Sequence, residues 1–186
     1  MKRLLDLNFV ILTVCIFVIP LFLLALLVRL TSVGPALYWS ARVGRGNSIF
    51  YMPKFRTMRL DTPSVATHLL ENPGQYLTPI GGFLRRSSLD ELPQLWSVLT
   101  GDMSLVGPRP ALYNQEDLIA ARTGAGIDGL RPGITGWAQV NGRDALTIEE
   151  KVALDSTYVQ RQSLSFDVYI LWLTVLKVLK RSDVSH

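Results

Sequence analysis

Two neighbouring carboxylates, Asp90 and Glu91, stand in a strongly cationic part of the sequence. Arg85 and Arg86 precede them, and Arg109 follows in a loop where a proline on each side restricts the backbone. Guanidinium groups held on rigid loops around a helix N-terminus form an anion site that suits phosphate. A carboxylate inside such a site is repelled by the phosphate unless a cation bridges the two or the carboxylate attacks the phosphorus. The pattern therefore indicates phosphate chemistry.

The same carboxylates also have a purely structural interpretation, which the residues alone leave open. Ser88 and Glu91 have the spacing of a capping box at the start of a helix, and both carboxylates would complement the helix dipole. Successive residues of a helix point about 100° apart. Asp90 and Glu91 are therefore not an equivalent pair, and as catalytic groups we expect them to divide the roles.

Two further segments carry features suited to phosphates. Lys54 and Arg56 add two cations directly after a predicted hairpin, although such residues are also typical of a solvated edge. The segment 129–136, Gly-Leu-Arg-Pro-Gly-Ile-Thr-Gly, is dense in glycine. Its composition fits an ordinary irregular connection, and glycine-rich backbone also approaches nucleotides closely. His68 and His186 are isolated and predict no metal-binding pair.

The composition limits the class of protein. Of 186 residues, 48% are hydrophobic and 18% charged, which is too apolar for a disordered tail and too charged for a polytopic membrane protein. One domain with a membrane anchor fits. The net charge of +4 suits anionic lipid, phosphate ligands or nucleic acid alike, and the single Cys15 excludes an internal disulfide. Between Leu7 and Leu60 the chain has six basic residues and no acidic one, so the basic surface adjoins the anchor.

The anchor is the apolar run Phe9–Val28, which at about 1.5 Å per residue is just long enough to cross a hydrocarbon core of about 30 Å. A single membrane-spanning helix is one interpretation, and the run is too long for the core of a signal peptide. Pro20 predicts a break in the middle of the run. Lys2 and Arg3 on one flank and Arg29 on the other all favour the cytoplasmic side. A helix-break-helix hairpin that enters and leaves by one face satisfies both flanks.

Past the anchor, turn residues and periodicity predict a small β-hairpin followed by helices, an α+β fold that is mostly helical. The predicted strands are Leu37–Val43 and Ile49–Met52. The predicted helices are 78–86, with Thr78 as N-cap, 89–101, 111–123, 147–162, opened by a Thr147–Glu150 capping box, and 166–179. The last segment fits the domain core or the membrane interface. Trp172 and the basic C-terminal end favour an amphipathic interfacial helix.

Four motifs follow one another in this chain. They are Lys54–Met58 (KFRTM), Ser88–Gln94 (SLDELPQ), Gly101–Pro110 (GDMSLVGPRP) and Arg131–Arg143 (RPGITGWAQVNGR). Together they resemble the bacterial sugar transferase family, in particular its small monotopic phosphoglycosyl transferases, and the resemblance covers nearly the whole chain. The sequence departs from the commoner motifs at Trp137, where leucine is also found, and at Arg86, and neither position belongs to the carboxylate pair.

The resemblance implies a membrane enzyme that moves a sugar 1-phosphate from a UDP-sugar to a polyprenyl phosphate such as undecaprenyl phosphate and releases UMP. This would begin the assembly of surface glycans such as exopolysaccharide or O-antigen, or of glycans for protein glycosylation. In the family the aspartate of the pair is the nucleophile and contacts Mg²⁺, which carries over to Asp90, with Glu91 as its partner. An N-acetylated hexosamine or a deoxy-amino derivative is the expected sugar, because the chain resembles the small members.

The resemblance also implies a set of substrate contacts and a topology. The cations expected at the substrate are Lys54, Arg56, Arg85 and Arg109. The residues expected at the nucleotide-sugar are Arg131, Gln139 and Arg143. Residues 1–30 would form a re-entrant membrane anchor and residues 31–186 a catalytic domain on the cytoplasmic face of the bacterial inner membrane, the minimal catalytic form of the family.

The expected partners are the UDP-sugar, the polyprenyl phosphate and membrane lipid, without nucleic acid; a homo-oligomer stays open. Two other classes also stay open. One is a membrane-anchored scaffold that keeps the fold without turnover, against which the intact Asp90–Glu91 pair argues. The other is a glycosyltransferase that passes the sugar without its phosphate and releases UDP.

Overall fold

The computed structural model describes residues 1–63, 72–142 and 145–180. Within these ranges the chain is mostly helical with a small antiparallel hairpin, which confirms the predicted fold class. The helices are α1 (Lys2–Thr31), α2 (Gly81–Arg86), α3 (Leu95–Thr100), α4 (Glu116–Gly124), α5 (Trp137–Val140), α6 (Ile148–Arg161) and α7 (Leu164–Lys180). The strands are β1 (Leu37–Val43), β2 (Ile49–Phe55), β3 (Ser104–Val106) and β4 (Gly133–Thr135).

Helix α1 contacts the rest of the protein at both of its ends. Near its start, Val10 is fully buried in the main hydrophobic core. Near its end, Val28 is fully buried against Phe55 and Leu84. The residues between these two contacts are largely exposed. Among the described residues, α1 is the one helix long and apolar enough to cross a membrane by length and composition.

The predicted break at Pro20 is not observed, because the backbone stays helical from Lys2 to Thr31. Proline removes one N–H donor, and the turns on either side keep their own hydrogen bonds, so a proline can sit inside a helix at the cost of a bond. The structure therefore does not have the predicted helix-break-helix form. The re-entrant path remains a prediction.

Polar contacts fix the start of α1 to distant parts of the chain. Asp6, only 5% exposed, accepts hydrogen bonds from Ser104 Oγ at 2.8 Å and from the backbone N–H of Leu105 at 3.3 Å. Lys2 Nζ forms an ion pair with Asp167 in α7. Arg3 donates to the carbonyls of residues 98 and 99 at the end of α3. Helix α1 is thus an integral part of the folded domain.

The β1–β2 hairpin forms as predicted and is longer on its second strand. The register runs from Leu37 opposite Phe55 to Val43 opposite Ile49. Strand β2 continues through Pro53, because each strand of a two-stranded sheet has an unpaired edge where a missing N–H is tolerated. This extension carries Lys54 on the strand itself.

A second, parallel pair of short strands was not predicted. Strand β3 pairs with β4, and the glycines around them allow the two segments to touch. A Cβ on Gly133 would lie 2.1 Å from the backbone nitrogen of Gly107, and one on Gly136 would lie 2.1 Å from the carbonyl oxygen of Gly107. The glycine-rich segment therefore packs backbone to backbone against the loop that carries Arg109.

Several predicted helices begin later than expected. Helix α2 begins at Gly81, and Thr78 bonds to the carbonyl of Thr57 instead of capping the helix. Helix α4 begins at Glu116, five residues after the expected start at Ala111. The predicted helix 89–101 is a 3₁₀ helix over Leu89–Gln94 followed by α3.

The C-terminal helices agree better with their predictions. Helix α6 has both hydrogen bonds of the Thr147–Glu150 capping box. Helix α7 buries Phe166 and Ile170 and exposes an apolar face that includes Trp172. The position of this face at a membrane interface stays a prediction.

The Asp6 contact predicts a stability effect. We expect Asp6→Ala to lower the free energy of unfolding by about 1–3 kcal/mol, because the Ser104 hydroxyl and the Leu105 N–H would be left buried without their acceptor. Thermal unfolding in detergent measures the change. Asp61→Ala is the control, since Asp61 is exposed and paired only with exposed Arg59. Equal melting temperatures for the two variants would contradict the assignment.

Candidate active site

The carboxylate pair lies in the 3₁₀ helix Leu89–Gln94, at a strained entrance. Ser88, directly before it, has φ 56° and ψ 16°, the left-handed region that non-glycine residues seldom adopt. Ser88 makes no side-chain cap hydrogen bond, so the capping-box interpretation is wrong. Glu91 is consequently available for contacts outside its own helix.

Glu91 holds two cations with one oxygen atom. Its Oε1 accepts a hydrogen bond from Lys54 Nζ at 2.7 Å and another from Arg109 Nη2 at 2.8 Å. Lys54 comes from the end of β2 and Arg109 from the loop between two prolines, so three separate segments meet at this atom. The Glu91 side chain is only 15% exposed. Charge-assisted hydrogen bonds of this kind are shorter and stronger than neutral ones.

Asp90 has a different environment from its neighbour. It is buried, and within the described part of the chain its carboxylate accepts no hydrogen bond and forms no ion pair. The charges of Lys54, Arg85 and Arg109 act on it and favour its ionised form. Burial first, and the Glu91 charge second, outweigh them and raise the pKa of the Asp90 carboxyl above its ordinary value. The carboxylate is thus unengaged and more basic than usual.

Burial also acts on the cations. It lowers the pKa of the Lys54 ammonium, and the neighbouring Arg109 lowers it further, while the Glu91 charge raises it. The ion pair with Glu91 is therefore what favours a charged lysine at this depth.

Arg42 is a site residue that sequence reasoning missed. It lies on β1, where Nε donates to Ser40 Oγ at 3.0 Å and Nη1 donates to the carbonyl of Pro110 at 3.2 Å. Burial, followed by repulsion from Arg109, lowers the pKa of its guanidinium to about 10, against the attraction of Glu91. The sequence marked Arg42 only as one of six cations in the acid-free stretch, and its position opposite Phe50 depends on the hairpin register.

Two predicted substrate cations have different positions. Arg85 donates to Thr57 Oγ1 at 3.0 Å, and its charge acts on Asp90, so it belongs to the site. Arg56 is buried at the end of α1, where it donates to Pro35 O at 2.7 Å and to Ser32 Oγ at 2.9 Å. Its observed contacts fix the anchor, and its role at the substrate stays a prediction.

Of the residues expected at the nucleotide-sugar, Arg131 and Gln139 lie in the described part of the chain, and their hydrogen bonds go to backbone carbonyls away from the carboxylate pair. Arg131 donates to the carbonyl of Gly101 at 2.9 Å and lines a cavity near the start of α1 together with Lys2. Gln139 donates to Ile134 O at 2.8 Å, and its buried Oε1 has no partner among the described residues. Arg143 lies outside the described residues. Their part in donor binding stays a prediction.

The arrangement fits Mg²⁺ together with a bound phosphate rather than Mg²⁺ alone. Among the described residues no three His, Cys, Asp or Glu side chains cluster, so the protein offers no closed metal cage. Asp90 supplies one unengaged carboxylate, which is the usual protein share when Mg²⁺ also binds substrate phosphates and water. The surrounding arginines and lysine oppose a second cation until an anion enters.

The sequence model described as "Bacterial sugar transferase" matches residues 1–181 of this chain. The chain belongs to that family. An uncharacterized sugar transferase of Bacillus subtilis, EpsL, is 44% identical over 187 residues, which cover 100% of this chain and 91% of the relative. The UDP-glucose:undecaprenyl-phosphate glucose-1-phosphate transferase of Caulobacter vibrioides is 41% identical, over 96% of this chain and 69% of the relative.

Other members of the bacterial sugar transferase family are much longer than this chain. The UDP-glucose:undecaprenyl-phosphate glucose-1-phosphate transferase of Escherichia coli is 41% identical over 83% of this chain and 35% of its own length. The undecaprenyl-phosphate galactose phosphotransferase of Salmonella typhimurium is 38% identical over 80% of this chain and 34% of its own length. The chain thus spans about a third of the length of these two relatives.

The electrostatics of the site predict how Asp90 titrates. In the metal-free protein we expect its carboxyl to ionise above the value of about 3.9 typical of aspartate. Glu91→Gln removes a charge that raises this pKa and should lower it, whereas Lys54→Met removes a charge that lowers it and should raise it. Carbon-13 NMR of labelled aspartate, assigned by loss of the signal in Asp90→Asn, measures the midpoints. Shifts in the same direction for both variants would contradict this electrostatic description.

Proposed function

We propose that this protein transfers a sugar 1-phosphate from a UDP-sugar to undecaprenyl phosphate, a polyprenyl phosphate, and releases UMP. The observation that carries the proposal is the division between the two carboxylates. Glu91 accepts hydrogen bonds from Lys54 and Arg109 on one oxygen, whereas Asp90 is buried among cations without a hydrogen-bond partner in the described residues. Two relatives, named as undecaprenyl-phosphate sugar transferases, support the same reaction.

The chemistry follows from the free carboxylate. An Asp90 oxygen attacks the phosphorus that bears the sugar, and the bond from that phosphorus to the bridging oxygen breaks, so that UMP leaves with the electron pair. An oxygen of the lipid phosphate then attacks the same phosphorus. The acyl phosphate bond breaks, Asp90 is regenerated and a polyprenyl diphospho-sugar is formed.

The cations make the first attack feasible. A diphosphate repels a carboxylate, and Lys54, Arg85 and Arg109 offset this repulsion at the place where charge builds up on the leaving UMP. Glu91 keeps two of these cations in position. Mg²⁺, held by Asp90 and phosphate oxygens, would neutralise further charge on the diphosphate.

The lipid acceptor explains why the anchor is built into the domain. The acceptor phosphate stays at the membrane surface, so the catalytic carboxylate has to be held at that level. Val10 and Val28, near opposite ends of α1, both pack on the same domain, and the exposed apolar residues lie between them. We infer a re-entrant path in which α1 bends at Pro20 while its backbone stays helical, so that this middle part dips into the cytoplasmic leaflet of the bacterial inner membrane and both ends return to its surface.

The relatives differ in the sugar for which they are named. Their names concern glucose and galactose. The expected N-acetylated hexosamine or deoxy-amino sugar finds no support in them. A panel of UDP-sugars, scored for UMP release with undecaprenyl phosphate, identifies the donor.

The covalent route predicts a single turnover without acceptor. With its donor and Mg²⁺ but no lipid phosphate, the protein should release one UMP per molecule and gain the mass of one phospho-sugar. Asp90→Asn keeps the shape and loses the nucleophile, so both signals should disappear, while Glu91→Gln should slow both. Intact-mass spectrometry and radiolabelled UMP measure them.

Other results would overturn the proposal in distinct ways. Release of UDP would mean a glycosyltransferase that passes the sugar alone. UMP release only when lipid phosphate is present, without an adduct, would mean direct attack by the lipid. No turnover with any donor would leave a scaffold protein.

The re-entrant path predicts the same sidedness for both ends of α1. A cysteine at position 2, in a chain with Cys15 replaced by Ser, should resist labelling by an impermeant reagent from outside the cell and react after permeabilisation. A cysteine at position 33, beyond the end of α1, is the matched probe and should behave alike. Efficient outside labelling of position 2 alone would establish a spanning helix. Pro20→Ala should shift some chains toward that form, because it restores the missing helix hydrogen bond.

A further inference from the structure

A buried ion pair lies behind the active site and has no part in the chemistry described so far. Arg122, on α4, donates from Nε at 3.0 Å and from Nη2 at 2.7 Å to the same oxygen, Oδ2, of Asp155 on α6. Asp155 is 1% exposed, and the Arg122 side chain is 11% exposed. A pair at this depth costs desolvation, and well-packed apolar residues would often be as stable. Fold stability alone is therefore a weak reason for it.

The remaining bond of Arg122 reaches the active-site loop. Its Nη1 donates to the backbone carbonyl of Arg109 at 2.7 Å. The guanidinium of that same Arg109 donates to Glu91. A continuous series of contacts therefore runs from Asp155 through Arg122 and Arg109 to the carboxylate pair.

This loop depends on such outside contacts because of its composition. Pro108 and Pro110 have no N–H groups, so two of its residues cannot donate the backbone hydrogen bonds that usually hold a loop in place. Its carbonyls are held instead: that of Pro108 by the backbone N–H of Gly133, that of Arg109 by Arg122, and that of Pro110 by Arg42. Of these three bonds, that of Arg122 is made to Arg109, the residue whose guanidinium donates to Glu91.

We propose that Arg122, oriented by Asp155, is a positioning residue that sets the backbone of Arg109 and thereby the place of its guanidinium beside Glu91. The inference rests on the proposed function, since its value lies in where Arg109 meets the phosphates. A shift of about 1 Å in a catalytic group can cost on the order of 100-fold in rate. Arg122 on α4 and Asp155 on α6 thus act on the reacting phosphorus through Arg109.

The test removes the pair as a unit so that no charge is left buried. The variant Arg122→Met with Asp155→Leu should keep its melting temperature within a few degrees and lose about ten-fold or more in kcat/KM for UMP release. Arg59→Met with Asp61→Leu is the matched control, because this ion pair is exposed and adjoins no catalytic group. The control should keep full activity.

A double-mutant cycle with Arg109→Ala separates positioning from a general structural effect. Arg109→Ala should itself lose at least about ten-fold, because it removes a charge-assisted phosphate contact. In that background the Arg122 and Asp155 changes should cost less than two-fold more, since their effect passes through Arg109. The same fold loss in both backgrounds, or no loss with Arg109 present, would overturn the inference.

Two further measurements keep the test decisive. Arg122→Lys keeps the charge opposite Asp155 but cannot donate in the same fork, so it should fold normally and show an intermediate loss even where the double variant fails to fold. Hydrogen–deuterium exchange over residues 107–112 reports the loop without turnover, and it should accelerate in the Arg122 variants and stay unchanged in the control. Unchanged exchange in all variants would refute positioning even if the proposed reaction proved wrong.

Discussion

One oxygen of Glu91 accepts hydrogen bonds from two cations that are far apart in sequence. Three segments of the fold have to be arranged so that these two contacts form. The hairpin has to extend past Pro53 to present Lys54. The proline-bounded loop has to be fixed by its carbonyls to present Arg109. The helix with the pair begins at a left-handed Ser88, and no cap hydrogen bond draws Glu91 back toward that residue. Each of these segments is short, and the ion pairs of Glu91 with Lys54 and Arg109 hold the three segments together.

The contacts of Glu91 with Lys54 and Arg109 also explain why the neighbouring carboxylates, Asp90 and Glu91, have different environments. Glu91 is neutralised by its partners, which lets a second carboxylate occupy a strongly positive enclosure without a partner of its own. Asp90 is then attracted by several charges but forms no hydrogen bond with the residues that the structure describes, and its desolvation makes it a better base. An unengaged anion beside cations suits the binding of a polyanion and reaction with it, a combination that neither residue would provide alone.

The sequence predicted the elements and residues that depend on local patterns. The hairpin and the capping box of α6 follow from turn residues and spacing. The resemblance to the family implied that Lys54, Arg85 and Arg109 lie at the substrate, and their charges act on Asp90. Arg42 and the Arg122–Asp155 pair were missed because their importance depends on tertiary register, which one sequence does not display. The continuous helix through Pro20 was missed because packing at both ends of α1 outweighs a local preference.

The contacts of α1 with residues far away in the sequence also bear on the order in which the protein folds. Lys2 and its partner Asp167 are 165 residues apart, so the anchor is synthesised well before this partner. Asp6 likewise accepts its hydrogen bond from Ser104 only after that residue, 98 positions later, has been synthesised. Until Ser104 has been synthesised, the Asp6 carboxylate lacks the hydrogen bonds that hold it in the folded domain. The packing of α1 against the domain is therefore completed only after α7 has been made.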